Sequence, residues 1–536
     1  MEVEGLFAVA AAVLTISALL AGFVARAPLS FPIIFLGLGL VLGEGSTGAV
    51  SVDLDSDILR TIAFATLALV LFLDAMNLEL AVMRRDWVVP ALTLGPGALL
   101  VIVLTAVAAM VVAGLDPLIA FIVGAVLAST DPVVLRDILR DDRIPRSVRN
   151  ALSIEGGTND LIVLPPILIL AAVATHETSG ALSWLGFLGE LLVVGPVAGV
   201  AVGLGGAWLM SAVDARRPVQ REWQAIYGIG LVLAAFGAGE YLGEDGFLAA
   251  FAAGAAVSLS SKTLCDCFLD FGEVVAELLM LISFVLFGAV LSTVLDDVEL
   301  GEAIVLALLA LLLIRPLAVG GVLTLRHTNL SPQGRRFIAW FGPRGLNSLL
   351  LALLVVEHGV AEGREVFGIV GVVVLTSVVV HGVTATPISN RYVRRAAEET
   401  LPEERESTLG GTFGARLRGA PTEAPRISAT EVAELLDGPD PPLVLDVRAH
   451  AGLSRDPFRI PGSVSLRPGD VADWGREQEP GRLIATYCTC LNEGTAARAA
   501  LQLISQGHDA RAIKGGLDAW REVGEAEPLR DARVTT

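Results

Sequence analysis

Cysteine is scarce. The 536-residue chain has four, arranged as two Cys-x-Cys pairs, Cys265/Cys267 and Cys488/Cys490. Neither pair has zinc-site spacing, and nothing in their placement suggests a disulfide framework. Positive charge is also in short supply. The formal net charge is −19 and the isoelectric point is near 4.8. No basic patch offsets phosphate repulsion, which excludes nucleic acid as a partner. The apolar stretch from Leu6 to Ala25 lacks a basic leader and a clear small-residue cleavage site. It reads as a first membrane span rather than a removed signal peptide. Past about residue 395 long hydrophobic runs stop, and charge, Pro and Gly rise.

Before that break the chain is a series of membrane-length apolar runs, which is why 54% of all residues are hydrophobic. Soluble domains do not carry a dozen such runs, so residues 1–395 read as a polytopic α-helical membrane domain. The expected spans are 6–25, 29–43, 58–77, 88–114, 117–135, 148–175, 182–212, 223–242, 246–261, 274–295, 301–325, 335–356 and 365–389. The arginines test this number independently. Arg26, Arg84, Arg85, Arg136, Arg140, Arg216, Arg217, Arg326, Arg335 and Arg391 fall after odd-numbered spans. The other connections carry Asp53, Asp55, Asp116, Glu244, Asp296, Asp297 and Glu362, with Arg60 and Arg364 as basic exceptions. By the positive-inside rule the N-terminus is outside and the C-terminal tail cytoplasmic. One span more or fewer would break the alternation.

Against that apolar background a few ionisable residues stand out: Asp131 in span 5, Glu155 and Asp160 in span 6, and Arg344 in span 12. A charge at bilayer depth costs roughly 2.5–3.5 kcal/mol on insertion scales. Four of them on three neighbouring or interrupted spans read as an ion or proton path rather than as staples between helices. Thr130-Asp131-Pro132 breaks span 5 and Gly342-Pro343-Arg344-Gly345 breaks span 12. Non-helical backbone at that depth is tolerated where it lines a cavity or is buried in protein. The two spans are seven apart and so run in opposite senses, as expected of two inverted repeats with broken crossing helices. In span 6, Glu155 and Asn159 share a helical face and Asp160 lies about 100° round from Asn159. Asp160 then reaches the cavity while Asn159 braces the broken helix. Hard oxygen ligands suit an alkali cation. Burial favours a protonated carboxyl and a nearby cation favours the ionised form, so one site that holds either is already an exchanger in principle.

Arg344 is expected to pair with Glu155 and to orient the Asn159 amide. Arg315, before Pro316 in span 11, is either a second brace or a residue near the membrane face. His176, His327, His358 and His381 lie at or near span ends, where an exposed histidine is commonplace.

With ASTDPV in span 5, E-x3-ND in span 6 and GPRG in span 12, residues 5–395 resemble the NhaP/NHE-type monovalent cation:proton antiporters. FLDAMNLEL after span 3 and GFLAAFAAGAAV in span 9 are weaker echoes. The resemblance implies exchange of Na⁺ (or K⁺ or Li⁺) for H⁺, with the cation at Asp160, Glu155 and Thr130 and Asp131 close by. It implies an Arg344 network with Glu155 and Asn159, no cofactor, and a homodimer. An Asn-Asp pair resembles the electroneutral branch. Many relatives place Ser after the Glu where this chain has Gly156. Either water or a backbone carbonyl replaces that hydroxyl, or the ion preference has shifted.

Residues 396–424 are charged, contain Gly and Pro, and lack apolar periodicity, so they read as a flexible linker. From 425 to 527 short apolar strands alternate with helices, the pattern of a small parallel α/β domain, followed by a short tail, 528–536. LDVR (445–448), RIPGSVSL (459–466), the Tyr487-Cys488 pair and KGGLDAW (514–520) resemble a rhodanese-like domain. Cys488 lies where a strand leads into a helix N-terminus, a place that favours thiolate. The resemblance implies a persulfide-carrying or redox thiol there, with a sulfur donor or thiol partner. The loop CTCLNEGT lacks the Arg often found there and carries Glu493, which disfavours anionic substrates. Sulfur transfer and a sensing role are both open, as is whether Cys490 resolves an oxidised Cys488 or stands by. The two overall readings are a cation:proton antiporter with a regulatory, sulfur- or redox-sensing tail, and an active sulfurtransferase tethered to a transporter of another solute.

Overall fold

A computed structural model of the chain describes residues 31–77, 87–131, 144–176, 181–242, 246–260, 262–325, 330–398, 424–448, 458–466, 471–478, 481–488 and 494–528. It also describes isolated positions 11, 15, 16, 19, 135, 138, 139, 141 and 328. Most of span 1, most of the linker and the Cys490–Glu493 loop lie outside these residues. Two units separate, Met1–Glu404 and Arg405–Thr536.

In the first unit each expected span from 2 to 13 corresponds to a helix or an interrupted helix. Among the described residues seven helices are long and apolar enough to cross a membrane: Asp57–Asn77, Val88–Val112, Val148–Ala174, Gly186–Asp214, Phe271–Asp297, Leu300–Thr324 and Gly363–Arg395. Phe31–Leu42, Pro117–Val126, Gly246–Ser260 and Leu346–Glu357 are shorter apolar helices. The buried core draws residues from each of spans 2 to 13. Span 7 exposes Val197, Val200, Leu204 and Trp208, while Gly199 and Gly203 bring it close to Ala249 and Ala253 of span 9. Small residues let membrane helices approach in this way.

The two basic exceptions in the acidic connections are accounted for. Arg364 bonds Asp297 at 2.7 Å and Asp53 at 3.4 Å, and Arg60 reaches Glu357 at 3.3 Å. These exposed pairs add little stability. They do place connections 2–3, 10–11 and 12–13 on one side of the helical bundle, as the charge alternation requires.

Three helices carry a widened π-turn at or just before a proline: Thr93–Gly97 around Pro96, Glu190–Val194 before Pro196, and Ala310–Ile314 before Pro316. Proline has no N–H and collides with the carbonyl one turn back, and a local π-bulge relieves both. Span 13 extends beyond expectation, as helix Gly363–Glu398. His381, expected near its end, is therefore well inside the helix and buried.

The second unit is built on a parallel five-stranded sheet. Its strands are β1 Arg426–Ile427, β2 Leu443–Asp446, β4 Val464–Ser465, β5 Ile484–Tyr487 and β6 Ala510–Ile513, in the order β1-β6-β5-β2-β4. A short antiparallel pair joins β3 (Phe458–Arg459) to β7 (Glu527–Pro528). Helices Ala429–Leu436, Val471–Arg476 and Gly494–Ser505 connect strands of the parallel sheet, and Gly516–Val523 leads from β6 to β7.

Candidate functional site

The pocket forms where interrupted span 5 meets interrupted span 12. Helix Pro117–Val126 ends before Ser129-Thr130-Asp131, and span 12 is split into Pro332–Trp340 and Leu346–Glu357 around the non-helical Phe341–Gly345. Each interruption leaves backbone groups without helical partners, and these cannot go unpaired inside a membrane. The two spans supply one another. Asp131 N–H donates to Pro343 O at 2.9 Å, and Leu346 N–H donates to Asp131 Oδ2 at 2.8 Å. The glycines of GPRG make room for this. A Cβ on Gly345 would stand 2.0 Å from Asp131 Oδ2, and one on Gly342 would stand 1.7 Å from Arg315 Nε. Neither position accepts a side chain without displacing a buried charge.

Span 6, Arg146–Ala174, lays its polar face on this crossing. Asp160 is buried and accepts from Ser129 Oγ at 2.6 Å. It also accepts from Asn347 Nδ2. Asn159 donates through Nδ2 to Ala128 O at 2.8 Å and to Thr130 Oγ1 at 3.0 Å, so its amide rests on the broken end of span 5. Glu155 accepts from Arg315 Nη2 at 2.7 Å, with both side chains at most 5% exposed. The same nitrogen reaches Phe341 O at 2.7 Å.

That pairing corrects the sequence expectation. Arg344 does not hold Glu155; its Nη1 donates to Ser129 O at 2.7 Å and Ala128 O at 3.1 Å, capping the negative end of a short helix. Arg315, directly after the π-turn and before Pro316, is the Glu155 partner. The spacing of Glu155, Arg315 and Arg344 along the chain could not rank the two arginines, because both lie in interrupted spans.

Asp131, Glu155 and Asp160 are thus held by different groups. Each carboxylate has its own partner: a backbone amide, a guanidinium, and two neutral donors. Among the described residues no group of three or more His, Cys, Asp or Glu forms a metal cluster. Two buried oxygens at the crossing, Glu155 Oε2 and Asn159 Oδ1, have no hydrogen-bond partner.

Sequence reasoning did not single out Ser129, Asn347, Ser377 or Asp74. Ser377 Oγ accepts Arg344 N–H at 2.7 Å. Asp74 of span 3 also has an unpartnered buried oxygen, Oδ2. Its Cβ is 4.0 Å from where a Cβ on Gly157 would stand, and Asp160 and Asp131 are within its electrostatic reach. The available signal was a lone Asp in the apolar run around FLDAM. For Ser129 and Asn347 it was a small polar residue beside each breaking motif.

In the second unit, Cys488 closes β5 and is buried against an apolar cluster with Ala496, Ala499 and Leu503. Gly516 has φ +53°, and a Cβ there would stand 2.1 Å from Cys488 O. The paired glycines thus let one loop pass over the cysteine backbone. Asp446 and Arg448 form a fully buried ion pair at 2.7 Å. Arg448 continues to Phe458 O at 2.7 Å. Tyr487 donates to Asp446 Oδ2 at 3.0 Å, and its oxygen accepts Ile460 N–H at 3.1 Å. Burial first, and then the Asp446 charge, push the Tyr487 phenol well above its ordinary range. This network ties the LDVR and RIPGS segments to the residue preceding Cys488.

Together, the opposed broken helices, the buried carboxylates between them and the small parallel α/β unit define a multi-pass membrane protein of antiporter fold with an appended rhodanese-like domain. The chain belongs to the sodium/hydrogen exchanger family: that transmembrane family model matches residues 12–391, and the rhodanese-like domain model matches residues 428–523. Among curated relatives, the K⁺/H⁺ antiporter NhaP of Alkalimonas amylolytica is 25% identical over 69% of this chain and 64% of its own length. The K⁺/H⁺ antiporter NhaP2 of Shewanella baltica is 25% identical over 75% of this chain and 69% of its own. The chain thus spans about two thirds of the length of these relatives. The sodium proton antiporter MjNhaP1 of Methanocaldococcus jannaschii superposes with a TM-score of 0.62 at 18% identity, over 73% of this chain and all of that one.

Proposed function

We propose that the protein exchanges a monovalent cation, K⁺ or Na⁺, for H⁺ across a cell membrane, with Asp160 as the shared carboxylate. The observation that carries this reading is the company Asp160 keeps. It is buried, held by the neutral donors Ser129 and Asn347, and has no ion-pair partner among the described residues. Glu155, by contrast, has its charge matched by Arg315. A buried carboxylate without a counter-charge must take up a proton or a cation. Asp160 takes one positive charge in either case, so alternating between them moves no net charge and the exchange is electroneutral. Thr130 and Glu155 supply further oxygens, while Asn159, Arg344, Arg315 and Asp131 hold the crossing that shapes the site. The names of the relatives favour K⁺ and the structural neighbour Na⁺, and both ions belong in the assay. The Arg/acid alternation supports an outside N-terminus and a cytoplasmic rhodanese-like domain, in which Cys488 reports on sulfur or redox state.

The test is dissipation of a preset pH gradient in everted vesicles on adding K⁺, Na⁺ or Li⁺. Wild-type protein collapses the gradient with at least one of these ions, and Asp160→Asn abolishes the response. Full exchange by that variant rejects Asp160 as the shared group.

A further inference from the structure

Among the helical hydrogen bonds that the interruption of span 12 removes is the one from Arg344. In a continuous helix Arg344 N–H would donate to Trp340 O, four residues back. Here Arg344 N–H donates to Ser377 Oγ at 2.7 Å instead. The carbonyl so released, Trp340 O, lies 3.2 Å from His381 Nε2. Ser377 and His381 are four residues apart on one face of span 13, both are buried, and Ser377 Oγ is 3.2 Å from His381 Nδ1.

The donors and acceptors form a one-way chain. Ser377 Oγ has accepted from Arg344, so its own proton is available to His381 Nδ1. The ring, protonated at Nε2, then donates to Trp340 O. Ser377 O also lies 3.0 Å from Nδ1. Donating to both carbonyls would need an imidazolium, beside the positive charges of Arg315 and Arg344. The neutral ring serves Ser377 Oγ and Trp340 O without that repulsion.

We propose that Ser377 and His381 are positioning residues for cation binding: they replace the missing 344-to-340 bond and so fix the register between the two halves of span 12. The second half begins with Leu346 and Asn347, which donate to Asp131 and to Asp160. Slack at the break therefore moves Asn347 relative to the exchanging carboxylate. Neither Ser377 nor His381 is close to the charge-bearing set in sequence, and neither touches Asp160. They act through Arg344, Trp340 and Asn347.

This inference rests on the exchange reading for its transport measurement, and on a second measurement that does not. In purified full-length protein, hydrogen–deuterium exchange of the peptide covering 341–347 is compared with its exchange in Ser377→Ala, Ser377→Thr, His381→Ala and His381→Gln. In proteoliposomes the half-saturating K⁺ or Na⁺ concentration and the maximal rate are measured for the same proteins. The two alanine variants deprotect the peptide. They also raise the half-saturating concentration about tenfold, the size expected when a buried polar group loses its partner, with a smaller change in maximal rate. Thr and Gln, which keep a hydroxyl and an N–H donor, restore both. Wild-type protection and half-saturation in the alanine variants would overturn the proposal. So would equal damage in the conservative variants, which would mean that side-chain volume matters and the hydrogen bonds do not. If wild-type protein moves none of the cations, the exchange reading fails, and the deuterium measurement still decides the clasp.

Discussion

Removing the Arg315 guanidinium while leaving Glu155 in place isolates a buried carboxylate in the middle of the helical bundle. The two groups are 2.7 Å apart and almost fully enclosed. At an effective dielectric of about 20 their gross attraction is about 6 kcal/mol. Much of that is cancelled by the cost of taking both charges out of water, so the pair as a whole contributes little net stability. Breaking it is different: losing one partner of a buried pair costs about 3–5 kcal/mol, because the other stays charged and enclosed. Arg315→Met keeps most of the apolar stem and should fall in that range. Glu155→Gln, added to it, removes the stranded charge and should recover most of the loss, giving a coupling of about 2–3 kcal/mol. Arg344→Met is destabilising in its own right, since Ser129 O and Ala128 O lose a donor. Its coupling to Glu155 should stay below about 1 kcal/mol, because the two share no direct bond. The assay is a double-mutant cycle on purified protein in mixed micelles, followed by reversible unfolding with SDS. Additive effects for Arg315 and Glu155, or a larger coupling between Arg344 and Glu155, would refute the assignment of partners.

Two further outcomes are expected. Gly345→Ala places a methyl group 2.0 Å from Asp131 Oδ2, so Asp131 must leave Leu346 N–H. Such overpacking costs about 1–3 kcal/mol and should slow exchange in vesicles at least about tenfold through misplaced site groups; exchange and unfolding identical to wild type would show that the crossing tolerates a side chain. For the second unit, full-length protein should release little cyanide-dependent thiocyanate, because Cys488 is enclosed. Turnover that Cys488→Ala abolishes would establish a sulfurtransferase, and the tail would then be catalytic as well as sensory.

How much of this was legible beforehand can be judged residue by residue. The spans were visible because bilayer thickness forces a run length that composition alone reveals. Broken spans 5 and 12 were visible because Pro and Gly weaken a helix and stand there beside charged residues in an apolar run. Asp160, Glu155 and Asn159 were visible because a polar side chain in an apolar run is costly wherever it points. The rhodanese-like unit was visible in short apolar strands and its motifs. These are local properties, written in consecutive residues.

Which arginine meets Glu155 is not local. Arg315 and Arg344 differ in sequence only by their neighbours. Arg315 meets Glu155, while Arg344 meets the carbonyls left open at Ala128 and Ser129, and both pairings exist only once the helices are packed. Ser377 and His381 could not be read for the same reason: a serine and a histidine on an apolar helix are unremarkable until a carbonyl and an amide released 33 to 41 residues away come within hydrogen-bonding distance. Sequence alone determined which segments enter the membrane, where two of them break and which charges go in with them. Tertiary structure decided how those charges are paired, because a buried polar group must find its partner in space, and that partner is seldom its neighbour along the chain.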